Sequence, residues 1–420
     1  MLKKKIAIIG SGISGMSAAY FLQQAGHEIT LFEKNDYIGG HSRTVSAQVA
    51  GKDIPVDTGF IVYNEQNYPL LTKLFAHLQV ATHASDMSFG ISINDGWLEY
   101  GTKALINIIG QKINLVRPDF WRMNRDILFF NKNAEQYLQS DLTLGELLDE
   151  MQLGEWFRKY YLLPMGGSIW STPTSEMLNF PAKTFIQFFK NHGLLTVNQQ
   201  PKWRTVIGGS KNYVKKLTAN FAQQIRLNTP ITSVTRAAKA VEVKPEGQPV
   251  ELFDEVIFAS HADQTLHMFE NPTEEETKLL SAFKFYPNQM YLHKDLSLMP
   301  RNKKCWSSWV YLSKERDDQN PAVSLSYWMN NLQPLETEQP IIVTLNPAKE
   351  IAEEDIFDHY EFHHPAFSKE AIAAQQQIDE IQGKDRIWFC GAYLRYGFHE
   401  DGILSAAKIM AKMQIDLPWQ

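Results

Sequence analysis

Short apolar runs alternate with an amphipathic stretch in the first 34 residues. An apolar run over residues 6–9 ends in a glycine turn, a helical pattern over 16–25 stops at Gly26, and a second apolar run covers 28–32. Apolar runs of this length are typical of buried strands, and glycine is common just after a helix. The order predicts a βαβ unit, the first half of a nucleotide-binding sheet.

The pattern then changes twice. Residues 86–200 hold long amphipathic segments rich in Phe, Trp, Leu and basic side chains, which predict a largely helical insert. Short apolar runs return afterwards, and we interpret them as strands of the nucleotide-binding half. They cover 225–228, 231–236, 240–243 and 254–259.

The last third of the chain predicts a second sheet and a closing helix. Residues 283–348 alternate in strand fashion, as at 322–328 and 341–345. A last strand is expected over 386–390 and a helix over 402–413. Because 420 residues exceed the size at which one core stops growing, we expect two lobes.

The composition of the chain limits its expected partners and its cellular compartment. A net charge of -6 gives no basic footprint for nucleic acid, so we expect no such partner. Two cysteines, Cys305 and Cys390, make neither a disulfide framework nor a metal cluster, which favours a reducing cytoplasm and no bound metal. Glycines interrupt the first apolar run, so it does not predict a signal peptide, and no run approaches the ~20 residues of a membrane span.

The glycine turn carries the dinucleotide fingerprint Gly10-Ser11-Gly12-Ile13-Ser14-Gly15 between a strand and a helix. Gly10 permits the tight turn, Gly12 admits a pyrophosphate, and Gly15 allows close helix packing. The helix N-terminus offers free N–H groups to phosphates. Glu33 follows at the spacing expected for a ribose ligand.

Three further features favour FAD over NAD. The first is a second glycine turn with a basic side chain, Gly39-Gly40-His41-Ser42-Arg43-Thr44, and the second is Asp57-Thr58-Gly59-Phe60. The third is Gly391 with the segment 397–403, whose helix is expected to direct its dipole at a reduced flavin. The predicted cofactor-binding residues are Gly10, Gly12, Ile13, Ser14, Gly15, Glu33, Lys34, Gly39, Gly40, His41, Ser42, Arg43, Thr58, Gly59, Phe60, Ile61, Val234, Gly391, Phe398, Gly402 and Ile403.

With these motifs the chain resembles the flavin-containing amine oxidase superfamily, which includes monoamine oxidases, protoporphyrinogen oxidase and phytoene-type desaturases. The Gly208-Gly209 turn and the closing Phe389-x-Gly391 extend the match along the chain. More narrowly, it is similar to a bacterial branch related to the flavin domain that precedes cyclopropane fatty acid synthase in plants. The segments that carry this narrower resemblance include 168–171, 180–182, 191–195, 203–206 and 396–402.

The resemblance implies an α/β protein, α+β overall, with a Rossmann-type FAD-binding domain and a discontinuous substrate domain of mixed sheet plus helical insert. The FAD-binding domain is predicted over 1–85, 203–265 and 384–420, and the substrate domain over 86–202 and 266–383.

Two departures from the amine oxidases are visible. The strand aligned with their flavin-side lysine reads Tyr286-Pro287-Asn288-Gln289-Met290, and Phe398 stands where one of their tyrosines is expected. Neither Lys284 nor Lys294 fits the lysine position. The cysteine that anchors flavin in some members has no counterpart, so non-covalent FAD is predicted.

Few side chains are candidates for chemistry, because hydride transfer to flavin needs positioning more than acid or base groups. No catalytic residue is assigned, and the candidates are His399, Asn288 and Tyr396. His192 is interpreted as a packed or capping residue with a proton carrier as the alternative. Residues 363–365 are interpreted as a turn, with metal binding as the alternative.

The segment 103–132 mixes large apolar side chains with six basic ones. One interpretation is a core-packed insert with a solvated basic face, and the other is peripheral contact with anionic lipid at the inner membrane face.

The leading functional hypothesis is dehydrogenation of an apolar small-molecule or lipid substrate. The alternatives are an amine oxidase that releases hydrogen peroxide, and a non-catalytic flavin-binding partner of a lipid-modifying methyltransferase. The oligomeric state is left open.

Overall fold

The computed structural model describes residues 2–170, 173–196, 201–313 and 324–419. Ser171, which belongs to the narrower resemblance, and residues 322 and 323 of a predicted strand lie outside these ranges.

Strands and helices alternate along the chain. The strands of the described part are, in order, β1 (Lys5–Ile9), β2 (Glu28–Phe32), β3 (Thr44–Val49), β4 (Lys52–Asp57), β5 (Val62–Asn64), β6 (Thr82–Ala84), β7 (Phe89–Ile93), β8 (Leu98–Gly101), β9 (Trp203–Val206), β10 (Ile225–Arg226), β11 (Ile231–Arg236), β12 (Val241–Pro245), β13 (Glu251–Phe253), β14 (Glu255–Phe258), β15 (Lys284–His293), β16 (Trp309–Ser313), β17 (Ser324–Trp328), β18 (Ile342–Leu345), β19 (Ile356–Ala366) and β20 (Ile387–Phe389). The α-helices are α1 (Ile13–Gln24), α2 (Pro69–His77), α3 (Leu105–Ile108), α4 (Pro118–Asn133), α5 (Leu144–Glu150), α6 (Glu155–Phe157), α7 (Leu163–Trp170), α8 (Thr174–Met177), α9 (Ala182–Asn191), α10 (Lys211–Thr218), α11 (Ala262–Met268), α12 (Glu274–Ser281), α13 (Met329–Leu332), α14 (Lys369–Gln377) and α15 (His399–Lys412).

A parallel sheet in the order β10-β2-β1-β14-β20 forms the dinucleotide half. Its central strand is buried on both faces, as parallel strands usually are. Ile6 and Ile8 pack with α1 and α15, whereas Ala7 and Ile9 pack with the small antiparallel sheet β11-β12-β13. The carboxyl ends of β1, β2 and β14 therefore meet at one edge, where ligands bind in sheets of this kind.

A seven-stranded mixed sheet, β19-β15-β18-β17-β16-β7-β8, forms the other half. The pairs are antiparallel except β16 with β7. A large apolar core lies between this sheet and helices α4, α5, α7 and α9. The fold class is confirmed: a mixed α/β chain with an N-terminal βαβ unit and a second, mixed sheet. The predicted domain boundaries stay a prediction.

One local expectation was wrong. Residues 363–365, interpreted as a turn, lie inside β19 and pair with β15. Two other expectations hold, with a detail that the local pattern does not contain. The described residues of the insert over 86–200 are largely helical, but the insert begins with the β7–β8 hairpin, which joins the seven-stranded sheet through β16. The runs at 231–236 and 240–243 are strands that pack against the parallel sheet as a separate antiparallel sheet with β13. In each case the partner strand is not visible in the local pattern.

Candidate functional site

The first glycine turn joins β1 to α1, and each of its glycines has a different role. Gly10 has φ +106°, and a Cβ there would lie 2.7 Å from the carbonyl oxygen of Ala259. At Gly15 a Cβ would lie 1.9 Å from the Gly10 oxygen, because helix and strand touch there. A Cβ at Gly12 meets nothing within 4 Å, so the space in front of the helix N-terminus is open.

Glu33 lies at the carboxyl end of β2 and is buried. One carboxylate oxygen accepts hydrogen bonds from the Ser11 N–H at 3.0 Å and the Ser11 hydroxyl at 2.6 Å. The other accepts from the Asn35 N–H at 2.9 Å. These donors fix the carboxylate beside the first turn, and its remaining acceptor sites suit ribose hydroxyls.

Two further backbone segments close around this turn. A Cβ on Gly40 would lie 3.1 Å from the Gly12 Cα, so the second glycine turn rests on the first. A Cβ on Gly59 would lie 2.3 Å from the carbonyl oxygen of His41, so the third segment rests on the second. The three glycine-bearing motifs noted in the sequence therefore come together in one place.

A cavity of about 1650 Å³ runs from these turns into the space between the two sheets. Two thirds of the predicted site residues line it. They are Gly10, Gly12, Ile13, Ser14, Glu33, Lys34, Gly40, His41, Thr58, Gly59, Phe60, Ile61, Gly391, Tyr396, Phe398 and His399. The cavity wall does not include Gly15, Gly39, Ser42, Arg43, Val234, Asn288, Gly402 or Ile403.

Arg43 turns away from the cavity. Its guanidinium forms an ion pair with Asp358, with Nη2 donating to Oδ1 at 3.1 Å, and lies 4.6 Å over the ring of Tyr360. The arginine of the second glycine turn is therefore held by Asp358 on β19. The basic or polar side chain of this turn that does line the cavity is His41.

Other predicted site residues that do not line the cavity have structural contacts elsewhere. Gly402 packs in the first turn of α15 against α1, where a Cβ would meet Ile13 Cγ2 at 2.6 Å. Val234 is fully buried in the core behind β11. Asn288 Oδ1 accepts a hydrogen bond from Asn346 Nδ2 at 2.8 Å. The helix itself begins at His399, three residues before the predicted start.

His399 is held firmly at the cavity wall. Its ring stacks on Phe60 at 3.7 Å, and Nε2 lies 2.8 Å from the Ser42 hydroxyl and 3.0 Å from the Tyr213 hydroxyl. Burial lowers the pKa of His399 well below its usual value. The imidazole is therefore neutral at pH 7 and is suited to orient hydroxyl groups, not to carry a positive charge.

The acidic residues after His399 are capping groups. Glu400 accepts from the N–H groups of Leu70 and Leu71, both at 3.0 Å, and so caps α2. Asp401 accepts from the Phe398 N–H at 3.0 Å and caps α15. Burial raises the pKa of Glu400 to about 7 and that of Asp401 to about 6.

The far end of the cavity is aromatic. Phe398 stacks on Phe188 at 5.2 Å, Tyr396 meets the edge of Phe188 at 6.0 Å, and His192 stacks on the same ring at 3.8 Å. His192 Nδ1 lies 2.9 Å from the Phe188 carbonyl oxygen, and burial lowers the pKa of this histidine to about 4. A neutral, packed imidazole is what the structure shows here.

Sequence reasoning missed His261 and His364, which line the cavity near His41. It also missed the apolar wall formed by residues such as Phe120 and Met123 of α4. The two histidines belong to no motif, because His261 follows β14 and His364 lies on β19, both far along the chain from any glycine turn. The alternation of Tyr360, Phe362 and His364 along β19 is the signal that a strand assignment would have exposed.

The residues present fit FAD. Open space lies in front of Gly12 at a helix N-terminus, where phosphates bind, and Glu33 is fixed beside it for a ribose. The cavity continues from there toward an aromatic wall that is suited to a flat ring system. A mononucleotide would not fill a cavity that extends so far. No helix in the described ranges is long and apolar enough to cross a membrane.

Comparisons with known proteins agree with this site. The family of flavin containing amine oxidoreductases matches residues 13–289. A Mycobacterium tuberculosis protein described as a flavin-containing monoamine oxidase is 23% identical over 289 residues, which are 66% of this chain and 61% of that protein. An L-amino-acid oxidase of Bungarus fasciatus is 23% identical over 57% of this chain and 46% of its own length. The matched region thus spans less than two thirds of these relatives.

Solved structures share the fold across the whole chain. Putrescine oxidase bound to putrescine superposes with a TM-score of 0.66 at 15% identity, covering 98% of this chain and 99% of its own. A fatty acid isomerase from P. acnes gives 0.65 at 15% identity, covering 97% and 98%. The family match, with the glycine turns and Glu33 around one elongated cavity, leads to one conclusion. The chain belongs to the flavin-containing amine oxidoreductase family, and FAD is its cofactor.

Proposed function

We propose that the chain is an FAD-dependent oxidoreductase that dehydrogenates an apolar, acyl-like substrate. The observation that carries the proposal is the wall of the cavity beyond the dinucleotide end. It is lined by large apolar side chains from four elements, including Phe89, Phe120, Met123, Met165, Trp170 and Trp309. Such a wall binds a hydrocarbon chain by burying its apolar surface, and it excludes water from the reacting carbon.

Two charged groups that line the cavity, Asp86 and Lys103, are already engaged. Asp86 accepts from the Ser308 hydroxyl at 2.6 Å and from Asn331 Nδ2 at 2.9 Å, and it also accepts from Ser88. These hydrogen bonds help to lower its pKa, against the opposing effect of burial, which is the largest single influence. Lys103 lies 3.9 Å from the same carboxylate. A carboxylate with these partners is poorly placed to hold a substrate ammonium group.

The amine oxidase alternative lacks its lysine. Lys284 on β15 is exposed, and Lys294 pairs with Asp355 at 3.5 Å. Neither residue lines the cavity. FAD supplies the hydride acceptor when bound, and the chain's own contribution is to hold the substrate in a dry, aromatic-walled space beside neutral His399. The fold shared with a fatty acid isomerase supports an acyl substrate, and the fold shared with putrescine oxidase supports the alternative.

Non-covalent attachment of FAD is part of the proposal. Cys390 is fully buried at the end of β20 and is not in the cavity wall, and burial raises the pKa of its thiol. Cys305 is also a buried, free thiol. Both features support a reducing, cytoplasmic setting with no thiolate available to the flavin.

We also propose that the chain contacts the surface of an anionic membrane. Half of the exposed large hydrophobic side chains in the described ranges fall within residues 106–129. We call this segment the apolar-basic surface. Its exposed apolar members are Ile106, Ile109, Ile113, Leu115, Val116, Trp121, Leu128 and Phe129, and its exposed basic members are Lys112, Arg122 and Arg125.

The apolar-basic surface is continuous with the cavity. Ile108, Met123, Ile127 and Leu128 belong to the same segment and line the cavity wall. Apolar side chains flanked by cations are the pattern of interfacial membrane segments. This arrangement would let an acyl chain pass from a lipid surface to the cavity without crossing water.

The test is anaerobic bleaching of the bound flavin. We expect phospholipids with long acyl chains to reduce it, and putrescine and aromatic amines to leave it oxidised. Met165→Trp, which fills the apolar wall, should slow bleaching at least about tenfold, and Met165→Leu, which conserves volume, should change it less than about threefold. FAD content and melting temperature of both variants are the controls.

Two other results of the bleaching experiment would each favour an alternative function. Bleaching by amines with release of hydrogen peroxide would replace the proposal with an amine oxidase. A flavin that stays oxidised with all substrates, yet stimulates an added lipid-modifying methyltransferase, would replace it with a non-catalytic partner.

A further inference from the structure

Three imidazole rings cluster on one side of the cavity near the glycine turns. His41 stacks on Phe362 with ring centres 4.7 Å apart, and His364 lies 5.3 Å from His41. His261 stacks on Phe285 at 4.2 Å. All three histidines line the cavity, and we call them the histidine cluster.

The histidine cluster flanks the open space in front of α1. His41 directly follows Gly40, whose Cβ position lies 3.1 Å from the Gly12 Cα. His261 follows Ala259 by two residues, and the Ala259 oxygen is the atom nearest to a Cβ on Gly10. Both histidines are therefore carried by backbone that touches the phosphate-binding turn, and β19 brings His364 beside His41.

Each ring has an unsatisfied polar atom. His41 Nε2, His261 Nδ1 and His364 Nδ1 are buried and have no hydrogen-bond partner among the described residues. An unpartnered buried polar atom is unfavourable in the folded state, so three in one cluster indicate a missing ligand. A half-turn about χ2 exchanges the two edges of a histidine ring, so these nitrogens can reach the cavity without backbone movement.

The rings are neutral when no anion is present. Burial lowers the pKa of His41 to about 4 and the pKa values of His261 and His364 to about 3. Mutual repulsion between the imidazoles adds to the effect. Neutral histidines beside a helix N-terminus form a site whose affinity for protons rises sharply once a negative ligand arrives.

We propose that His41, His261 and His364 bind the pyrophosphate of FAD, and that the histidine cluster takes up a proton from solvent as the cofactor binds. The role is one that an arginine beside the second glycine turn would otherwise fill, and Arg43 is engaged by Asp358. A histidine cluster differs from an arginine because its charge depends on pH and on the ligand.

Other charged groups near the cluster act in known directions. His363 and Lys34 are cationic or potentially cationic neighbours that oppose protonation of His261. Glu361 accepts a hydrogen bond from His363 Nε2 at 2.9 Å and is exposed. Glu33 is occupied by Ser11 and Asn35. His399 and Asp263 also line the same cavity.

The test is calorimetric titration of the FAD-free chain with FAD in two buffers of different ionisation enthalpy. We expect uptake of about one proton at pH 7. The dissociation constant should then fall by about three- to tenfold for each unit that pH is lowered from 8 to 6. FAD itself does not titrate its pyrophosphate in this range, so the proton belongs to the protein.

Variants assign the proton to the cluster. His41→Gln and His364→Gln should weaken FAD binding and reduce the proton uptake by more than half. His192→Gln, a matched change at the aromatic end of the same cavity, should leave the proton uptake unchanged. Absence of proton uptake in the unmodified chain overturns the proposal, as does equal loss of uptake in the His192 control. Because the first measurement uses the unmodified chain, a variant that does not fold leaves the test intact.

Discussion

At the scale of single residues, Gly12 and Gly15 belong to one motif but differ in what surrounds them. Gly12 has φ -63° and ψ 178°, an extended conformation that any residue can adopt, and open space at its Cβ position. Gly15 has the Gly10 oxygen 1.9 Å from that position. We therefore expect Gly12→Ala to fold normally and to bind FAD at least about tenfold more weakly, because the methyl group would meet the cofactor.

Gly15→Ala provides the contrast. Its methyl group would overpack the junction of β1 and α1, so we expect a loss of about 1–3 kcal/mol in the free energy of unfolding. Urea denaturation of both FAD-free variants, followed by FAD titration, separates the two effects. A stability loss in Gly12→Ala equal to that in Gly15→Ala would contradict this assignment.

Among the predicted site residues, those that line the cavity beside the first glycine turn are residues whose role depends on neighbours close in the chain. Gly12, Ser14 and Glu33 were predicted because the turn, the helix start and the strand end are local. Arg43 was predicted to face the cofactor, but its partner Asp358 lies 315 positions away. A side chain's direction depends on such partners, which no local motif contains.

At the scale of elements, the apolar-basic surface predicts a measurable membrane contact. Val116 and Phe129 are 72% and 47% exposed. We expect the Val116→Asp/Phe129→Asp double variant to lose at least about tenfold in affinity for vesicles with 30% anionic lipid, because it removes apolar contact and adds repulsion. Vesicle cosedimentation at several lipid concentrations measures the change.

A matched control is available on the opposite half. Val250 and Leu252 are 48% and 56% exposed beside and on β13, away from the cavity wall. The Val250→Asp/Leu252→Asp double variant should bind vesicles as the unmodified chain does. Equal binding by both double variants would show that residues 106–129 are an ordinary solvated face.

Elements were predictable where the pattern and the partner lie together. The runs at 28–32 and 231–236 match β2 and β11 because alternation and flanking turns define them. The hairpin β7–β8 was missed because β7 joins the sheet by pairing with β16, more than 200 positions later. The long strand β19 was missed because its histidines and proline read as a turn until β15 pairs with it.

At the scale of the whole molecule, the parallel sheet gathers strands from the start, middle and end of the chain. The seven-stranded sheet is built from the segments between them. The superfamily resemblance predicted this interleaving, which periodicity alone does not contain. One cavity results, with the histidine cluster at its phosphate end and apolar side chains at the other.

The buried histidines give the FAD-free chain a predicted sensitivity to acid. Burial lowers the pKa of His41, His192 and His293 to about 4 and that of His261 and His364 to about 3. A histidine whose pKa is lowered by folding is protonated first in the unfolded chain. Its stabilising contribution is therefore complete above pH 6.5 and is lost as pH falls from 6.5 toward 4.

Three buried carboxyls act in the opposite direction. Burial raises the pKa of Glu400 to about 7 and those of Asp57 and Asp401 to about 6, so their contribution is present at low pH and is lost as pH rises from about 4 to 7. The histidines are more numerous, so we expect the free energy of unfolding to fall by about 1–3 kcal/mol per unit between pH 6.5 and 5. Urea denaturation at pH 5, 6, 7 and 8 measures this slope.

Glu400→Gln should steepen the loss of stability by removing an opposing group, and His41→Gln should flatten it. Stability that increases toward pH 5 would mean that the carboxyls dominate and that the histidines are not buried as neutral rings.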